Sequence, residues 1–265
     1  MTKAVLLAAV ALAACHAPTT DTRAGDAGAN NATAAVTPAA QGRPVWLHAT
    51  DNLNVKGTYY QAKNPKAIIL LFHQAGSSKD EYATIAPKLV AAGYSALAID
   101  QRSGGAMYGT NQTVQQMPKG WPDSMEDASK DMEGALRWAE PLRLPIILWG
   151  SSYSASLVIP LANTYPDTVK AVLSFSPGEY FADKNRIERA AGAIQMPIFI
   201  TSADKPDEEA AAKAIADRVP DHRATLYVPV SGGVHGSSTL IAAKDPNGAA
   251  ANWAAVMAFL GKLSL

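Results

Sequence analysis

The stretch Ile146-Ile147-Leu148-Trp149-Gly150-Ser151-Ser152-Tyr153-Ser154 decides the fold. It opens as a short, continuous apolar run rich in β-branched and aromatic residues, which suits a strand covered on both faces. It breaks at three small residues and passes into Ala155 to Tyr165, whose apolar content continues as a helix. Strand, tight turn and helix in immediate succession form the repeating unit of layered α/β architectures.

The pattern recurs on both sides. Near-continuous apolar runs stand at Ala67 to Phe72, Ser95 to Ile99, Val169 to Phe175, Pro197 to Ile200 and Ala224 to Val230. Ahead of them, Val45 to Ala49 and Val55 to Gln61 read as an opening hairpin or meander. Helices fall between. Ser78 followed by Glu81 reads as a capping box, with Tyr82, Ile85 and Leu89 at helical spacing and Gly93 as the stop. A second helix is expected from Ser124 to about Ala139, with Met125, Met132 and Leu136 on one face. Asp207, Glu208 and Glu209 favour the positive end of a helix running to about Val219. Asp245-Pro246 opens the last, with Trp253, Val256, Met257 and Leu260 as its buried stripe. The expectation is a mostly parallel sheet of about eight strands with helices on both faces and right-handed crossovers.

Within this frame the turn Gly150-Ser151-Ser152-Tyr153-Ser154 resembles the nucleophile elbow of the α/β-hydrolase superfamily, with Ser154 where a second glycine is usual. Centring the motif on Ser151 would put Trp149 at a crowded position, so Ser152 is the expected nucleophile. Taken alone, Ser152 reads equally as a helix N-cap. The resemblance implies a chain order of serine, acid, histidine, with the last two on loops after later strands. Asp204 follows the strand Ile198 to Ala203, and His235 lies in Ser231-Gly232-Gly233-Val234-His235-Gly236 after the next. Asp204 is therefore the expected acid, with Asp207 as competitor and more naturally a helix cap. Of five histidines, His16 precedes the domain, His48 precedes the main sheet, His73 ends the first long strand and His222 sits in a turn; His235 is the expected general base because the glycines around it let its loop fold back toward Ser152.

The segment His73-Gln74-Ala75-Gly76 resembles the H-G-x-G type loop that shapes an oxyanion hole. It implies the backbone N–H of Ala75, or else Gln74, as one donor and that of Tyr153 as the other. His73 is then a scaffold residue. Asp100-Gln101-Arg102-Ser103-Gly104 resembles the superfamily's D-x-R-G loop and is read as structural. The resemblance covers roughly Ala67 to Leu265 and is nearest to dienelactone-hydrolase-like and carboxylesterase-like members, with serine in place of the dienelactone hydrolases' cysteine. It implies a serine esterase acting on small or accessible polymeric esters. A peptidase or amidase on the same triad, or a non-catalytic surface protein keeping the fold, are the other readings. Only about 20 residues, Ser176 to Gln195, precede the next strand, too few for a large lid domain.

The 265 residues carry 23 basic and 23 acidic side chains, so no cationic field favours nucleic acid. No metal-ligand cluster, phosphate loop or nicotinamide fingerprint stands in the sequence, and no cofactor is expected. Lys3, the apolar run Ala4 to Leu12 and the small residues that follow have the layout of an export signal over residues 1–14. Leu12-Ala13-Ala14-Cys15 resembles a bacterial lipobox, which implies a lipid-anchored Cys15 in the cell envelope, with the outer membrane favoured. Residues 15–43 read as a disordered tether and residues 44–265 as the catalytic domain.

Overall fold

The computed structural model describes residues 41–265. The expected export signal, Cys15 and nearly all of the expected tether lie outside the described residues.

Eight strands, β1 (Arg43–His48), β2 (Asn54–Tyr60), β3 (Ile68–Phe72), β4 (Ser95–Ile99), β5 (Ile146–Ser151), β6 (Val169–Phe175), β7 (Ile198–Thr201) and β8 (Ala224–Tyr227), form one sheet. Their spatial order is β1-β2-β4-β3-β5-β6-β7-β8. The opening hairpin β1–β2 is antiparallel, β2 joins β4 antiparallel, and every later pairing is parallel. Parallel strands need crossovers, supplied by the helices α1 (Ala86–Ala91), α2 (Gln112–Gln116), α3 (Ala128–Ala139), α4 (Tyr153–Thr164), α5 (Arg186–Ala191) and α6 (Pro206–Arg218), while α7 (Ala249–Leu260) follows β8 and packs on the sheet.

Helices on both faces explain the apolar runs. Ile68, Leu70 and Phe72 of β3 enter one core with Met132, Leu136 and Leu157, while Ile69 and Leu71 enter the other with Leu89, Val256 and Leu260. The register aligns Phe72 with Ile99 and Gly150, Ser151 with Phe175, and Phe175 with Thr201. The carboxyl ends of the central strands therefore finish level, and the loops carrying candidate chemistry leave from one edge.

Three local expectations are corrected. The segment after β3 is a short 3-10 turn, Lys79–Tyr82, followed by the six-residue α1. Pro87 lacks the N–H that would continue one helix through both. Ser78 does cap that turn, but by accepting from Asp80, and Glu81 turns inward instead of back. The reciprocal cap occurs elsewhere: Ser124 and Asp127 accept each other's backbone N–H ahead of α3, which leaves Met125 exposed. Strand β8 stops at Tyr227, because Pro229 has no ladder donor, and Val230 is 93% exposed.

Arg102 anchors the hairpin to the sheet. Its fully buried guanidinium donates to Asp131 on α3 at 2.8 Å and to Asp51 of the β1–β2 turn at 2.7 and 2.8 Å, and its backbone N–H also donates to Asp131. Removing the cation leaves Asp131 buried without its partner, so Arg102→Ala should lower the free energy of unfolding by about 3–5 kcal/mol. Urea unfolding of the two proteins measures it, and a loss under about 1 kcal/mol, the size of an exposed pair, would contradict this role.

Candidate active site

The turn after β5 is built to hold one side chain in a strained pose. Ser152 adopts φ 60° and ψ −124°, outside the regions open to L-residues at low cost. Its N–H donates to Phe175 O at 2.8 Å, which fastens the elbow to β6. Gly150 is required by space, since a Cβ there would lie 2.3 Å from Ser154 O. Ser154, at the other crowded position, uses its hydroxyl: it donates to His73 O at 2.7 Å and accepts from Gln101 Nε2 at 3.0 Å. The serine in place of glycine therefore ties the elbow to the loops after β3 and β4.

His235 reaches the elbow from the loop after β8. Ser152 Oγ donates to its Nε2 at 2.7 Å. Its Nδ1–H donates to a carboxylate at 3.0 Å, and that carboxylate belongs to Glu208. This corrects the expectation for the acid. Asp204 is exposed, and among the described residues its carboxylate has no hydrogen-bond partner; its backbone N–H instead donates to Gly233 O at 3.1 Å, helping to hold the histidine loop. Asp207 is exposed as well. Glu208, the third residue of α6, points its carboxylate back toward the helix start, accepting from Ala203 N–H at 3.2 Å.

Glu208 was visible in the sequence only as a first-turn helix acid. Its position in the helix would have found it, since a carboxylate three residues into a helix returns to the turn that precedes it. Four acids within six positions, Asp204, Asp207, Glu208 and Glu209, left spacing alone unable to choose.

The carboxyl of Glu208 is held at about 2. Burial alone would raise it; the bond from His235 leads the opposing effects, followed by the Ser176 hydroxyl, the imidazole charge and Ala203 N–H. Ser176 also accepts from Gly236 N–H at 3.0 Å, so the end of β6 braces both acid and histidine loop. Buried Asp245 fixes that loop from its far side, accepting from Gly233 N–H at 3.0 Å and Gly248 N–H at 2.8 Å.

The backbone N–H groups of Ala75, in the loop tied to the elbow by Ser154, and of Tyr153, next to Ser152, have no acceptor among the described residues. Gln74, the other expected donor, is occupied, because its N–H donates to Glu81 Oε2 at 3.0 Å. His73 is buried behind this loop, donating from Nδ1 to Gln74 O at 2.8 Å and accepting from Gln101 N–H at 2.9 Å. Burial lowers its imidazole to about 4, consistent with a neutral ring bridging two loops. Tyr180 lies beside the serine, and its hydroxyl donates to Ser176 O at 2.8 Å.

Comparison with known proteins agrees with the architecture. The family model described as serine aminopeptidase, S33, matches residues 63–185, which include the loop after β3 and the elbow. No curated protein matches the sequence. Among solved structures, an esterase of Pyrococcus furiosus is 17% identical with a TM-score of 0.64, covering 84% of this chain and 93% of its own. A dienelactone hydrolase of Anabaena variabilis is 16% identical with the same TM-score, over 85% and 100%. A cold-adapted esterase from an Arctic intertidal metagenomic library is 20% identical with a TM-score of 0.57, over 72% and 85%. The chain has the α/β-hydrolase fold.

Because Glu208 titrates lower in the folded chain than its ordinary 4.5, its stabilising effect is complete above that value and is lost as pH falls through about 2. The stability difference between wild type and Glu208→Gln, present at pH 5, should shrink as the pH is lowered from 4.5 toward 2. Urea unfolding at each pH checks the sign, and a difference that grows in acid would contradict it.

Proposed function

We propose that the chain is a serine hydrolase whose preferred substrates are carboxylic esters. The observation that carries this reading is the relay from Ser152 Oγ to His235 Nε2 at 2.7 Å and from Nδ1 to Glu208 at 3.0 Å, together with the Ala75 and Tyr153 N–H groups, which have no acceptor among the described residues. Glu208 only accepts, so the ring proton sits on Nδ1 and Nε2 is free to take the serine proton. Ser152 then attacks an acyl carbon as its proton passes to His235, and Glu208 stabilises the imidazolium. The oxyanion is received by Ala75 N–H and Tyr153 N–H, each worth about 3 kcal/mol in such a hole. His235 returns the proton to the leaving alkoxide, and water repeats the cycle on the acyl-enzyme.

Ester specificity is supported by the neighbouring esterase structures and by the shape of the entrance. Only the six-residue α5 stands between β6 and β7, so that connection holds no lid domain, and Tyr180 beside the serine is exposed. Short or accessible esters suit such a site, whether on a small molecule or along a polymer. A second reading, amide hydrolysis, is favoured by the description of the matched family.

A fluorophosphonate should label the protein once, at Ser152, and Ser152→Ala should abolish the labelling. Absence of labelling would mark a non-catalytic member of the fold. Parallel panels of aryl esters and aminoacyl amides rank the two activities, and faster amide turnover would overturn the ester reading. Glu208→Ala should lower kcat by about 10²-fold to 10⁴-fold while Asp204→Ala stays near wild type. The reverse ranking would return the acid role to Asp204.

We propose further that the protein is exported and anchored through Cys15. Expressed in a bacterium, the full chain should fractionate with the envelope and carry acyl mass on Cys15, and Cys15→Ser should release it; a wild-type chain in the soluble fraction would rule this out.

A further inference from the structure

Glu81 is a carboxylate with no exposure, set beneath the candidate active site and unused by the relay. It meets two loops directly and a third through one atom. Its Oε2 accepts from Gln74 N–H at 3.0 Å, in the loop after β3. Its Oε1 accepts from Ser151 Oγ at 2.7 Å, in the elbow beside Ser152. Ser151 Oγ in turn accepts from Ser237 N–H at 2.9 Å, two residues past His235.

We infer that Glu81 is a positioning residue for the oxyanion hole, a conclusion that rests on the serine hydrolase reading. A trans peptide holds its C=O and N–H on opposite sides of one plane. The plane joining Gln74 to Ala75 is set by Gln74 O, which accepts from His73 Nδ1 at 2.8 Å and from Ser77 N–H at 3.2 Å. Ala75 N–H must then point the other way. The preceding plane, joining His73 to Gln74, is held from both edges, by the bond from Ser154 Oγ to His73 O at 2.7 Å and by the bond from Gln74 N–H to Glu81 at 3.0 Å. With both planes held, the two torsions of Gln74 are held, and so is the direction of the Ala75 donor.

Both carboxylate oxygens face donors, Gln74 N–H and the Ser151 hydroxyl. A glutamine could keep its oxygen on Gln74 N–H by turning its NH2 toward Ser151 Oγ, so the bond to the loop is removed only by a side chain without an acceptor. Burial pushes the Glu81 carboxyl up, against the bonds from Gln74, Ser151 and Ser77.

The test compares Glu81→Met, close in size but without an acceptor, with Glu81→Asp and Ser151→Ala, with kcat expressed per active site titrated by fluorophosphonate so that only folded molecules count. Ser151→Ala leaves the bond from Gln74 to Glu81 in place. Glu81→Met should lower kcat about tenfold to a hundredfold, as loss of an aligned oxyanion donor does, with KM changed less than about threefold. Inhibition by a trifluoromethyl ketone, which forms a tetrahedral adduct, should weaken by the same factor. Ser151→Ala should lose much less. If Glu81→Met does not fold, Glu81→Asp, one methylene short of Gln74, is judged by the same criteria. Wild-type kcat in the glutamate variants, a loss confined to KM, or an equal loss in Ser151→Ala would overturn the inference. Failure of the wild-type protein to label or turn over esters would instead sink the hydrolase reading, so the two failures are distinct.

Discussion

A proton can pass from Ser152 to His235 only while two atoms from residues 83 positions apart in sequence stay within 2.7 Å. Flexible loops alone would not hold that distance, because each ordered residue costs about 1–2 kcal/mol of backbone entropy. The sheet meets the constraint by ending its central parallel strands level, so that the loops begin close together. The remaining slack is removed by buried polar groups that bridge one loop to another: Ser154 and His73 on the oxyanion side, Ser176 and Asp245 on the histidine side, and Glu81 between them. The apolar layers set the platform, and these hydrogen bonds set the angles.

Most of this platform was legible in the sequence. Parallel strands buried on both faces must be apolar at nearly every position, so the runs at Ala67, Ser95, Ile146 and Val169 announce themselves. Serine and histidine were legible for a different reason. The elbow has a steric signature at Gly150, and a histidine among glycines after the last strand has few structural uses.

What escaped reading was the direction of flexible acidic side chains. Glu208 and Glu81 both carried the marks of helix-start residues, and for both the local spacing was sound. Tertiary partners prevailed. A charge-assisted bond to a ring nitrogen at 3.0 Å, or to a buried amide N–H, outweighs a solvated capping contact, because the buried partner has no water to fall back on. Sequence spacing shows where a carboxylate is attached but not which distant donor most needs it.

Ser154 bears on how such sites are found in other chains. The position two places past the nucleophile is usually treated as demanding the absence of a side chain, yet here it holds a fully buried hydroxyl with both a donor and an acceptor satisfied. The restriction is thus on volume and on pairing together: a small polar group is admitted when a carbonyl from the next strand over stands ready to receive it. A search pattern that insists on glycine there would pass over chains of this kind, whereas one that allows serine together with a glutamine two residues after the strand one removed, as Gln101 follows β4, would retain them.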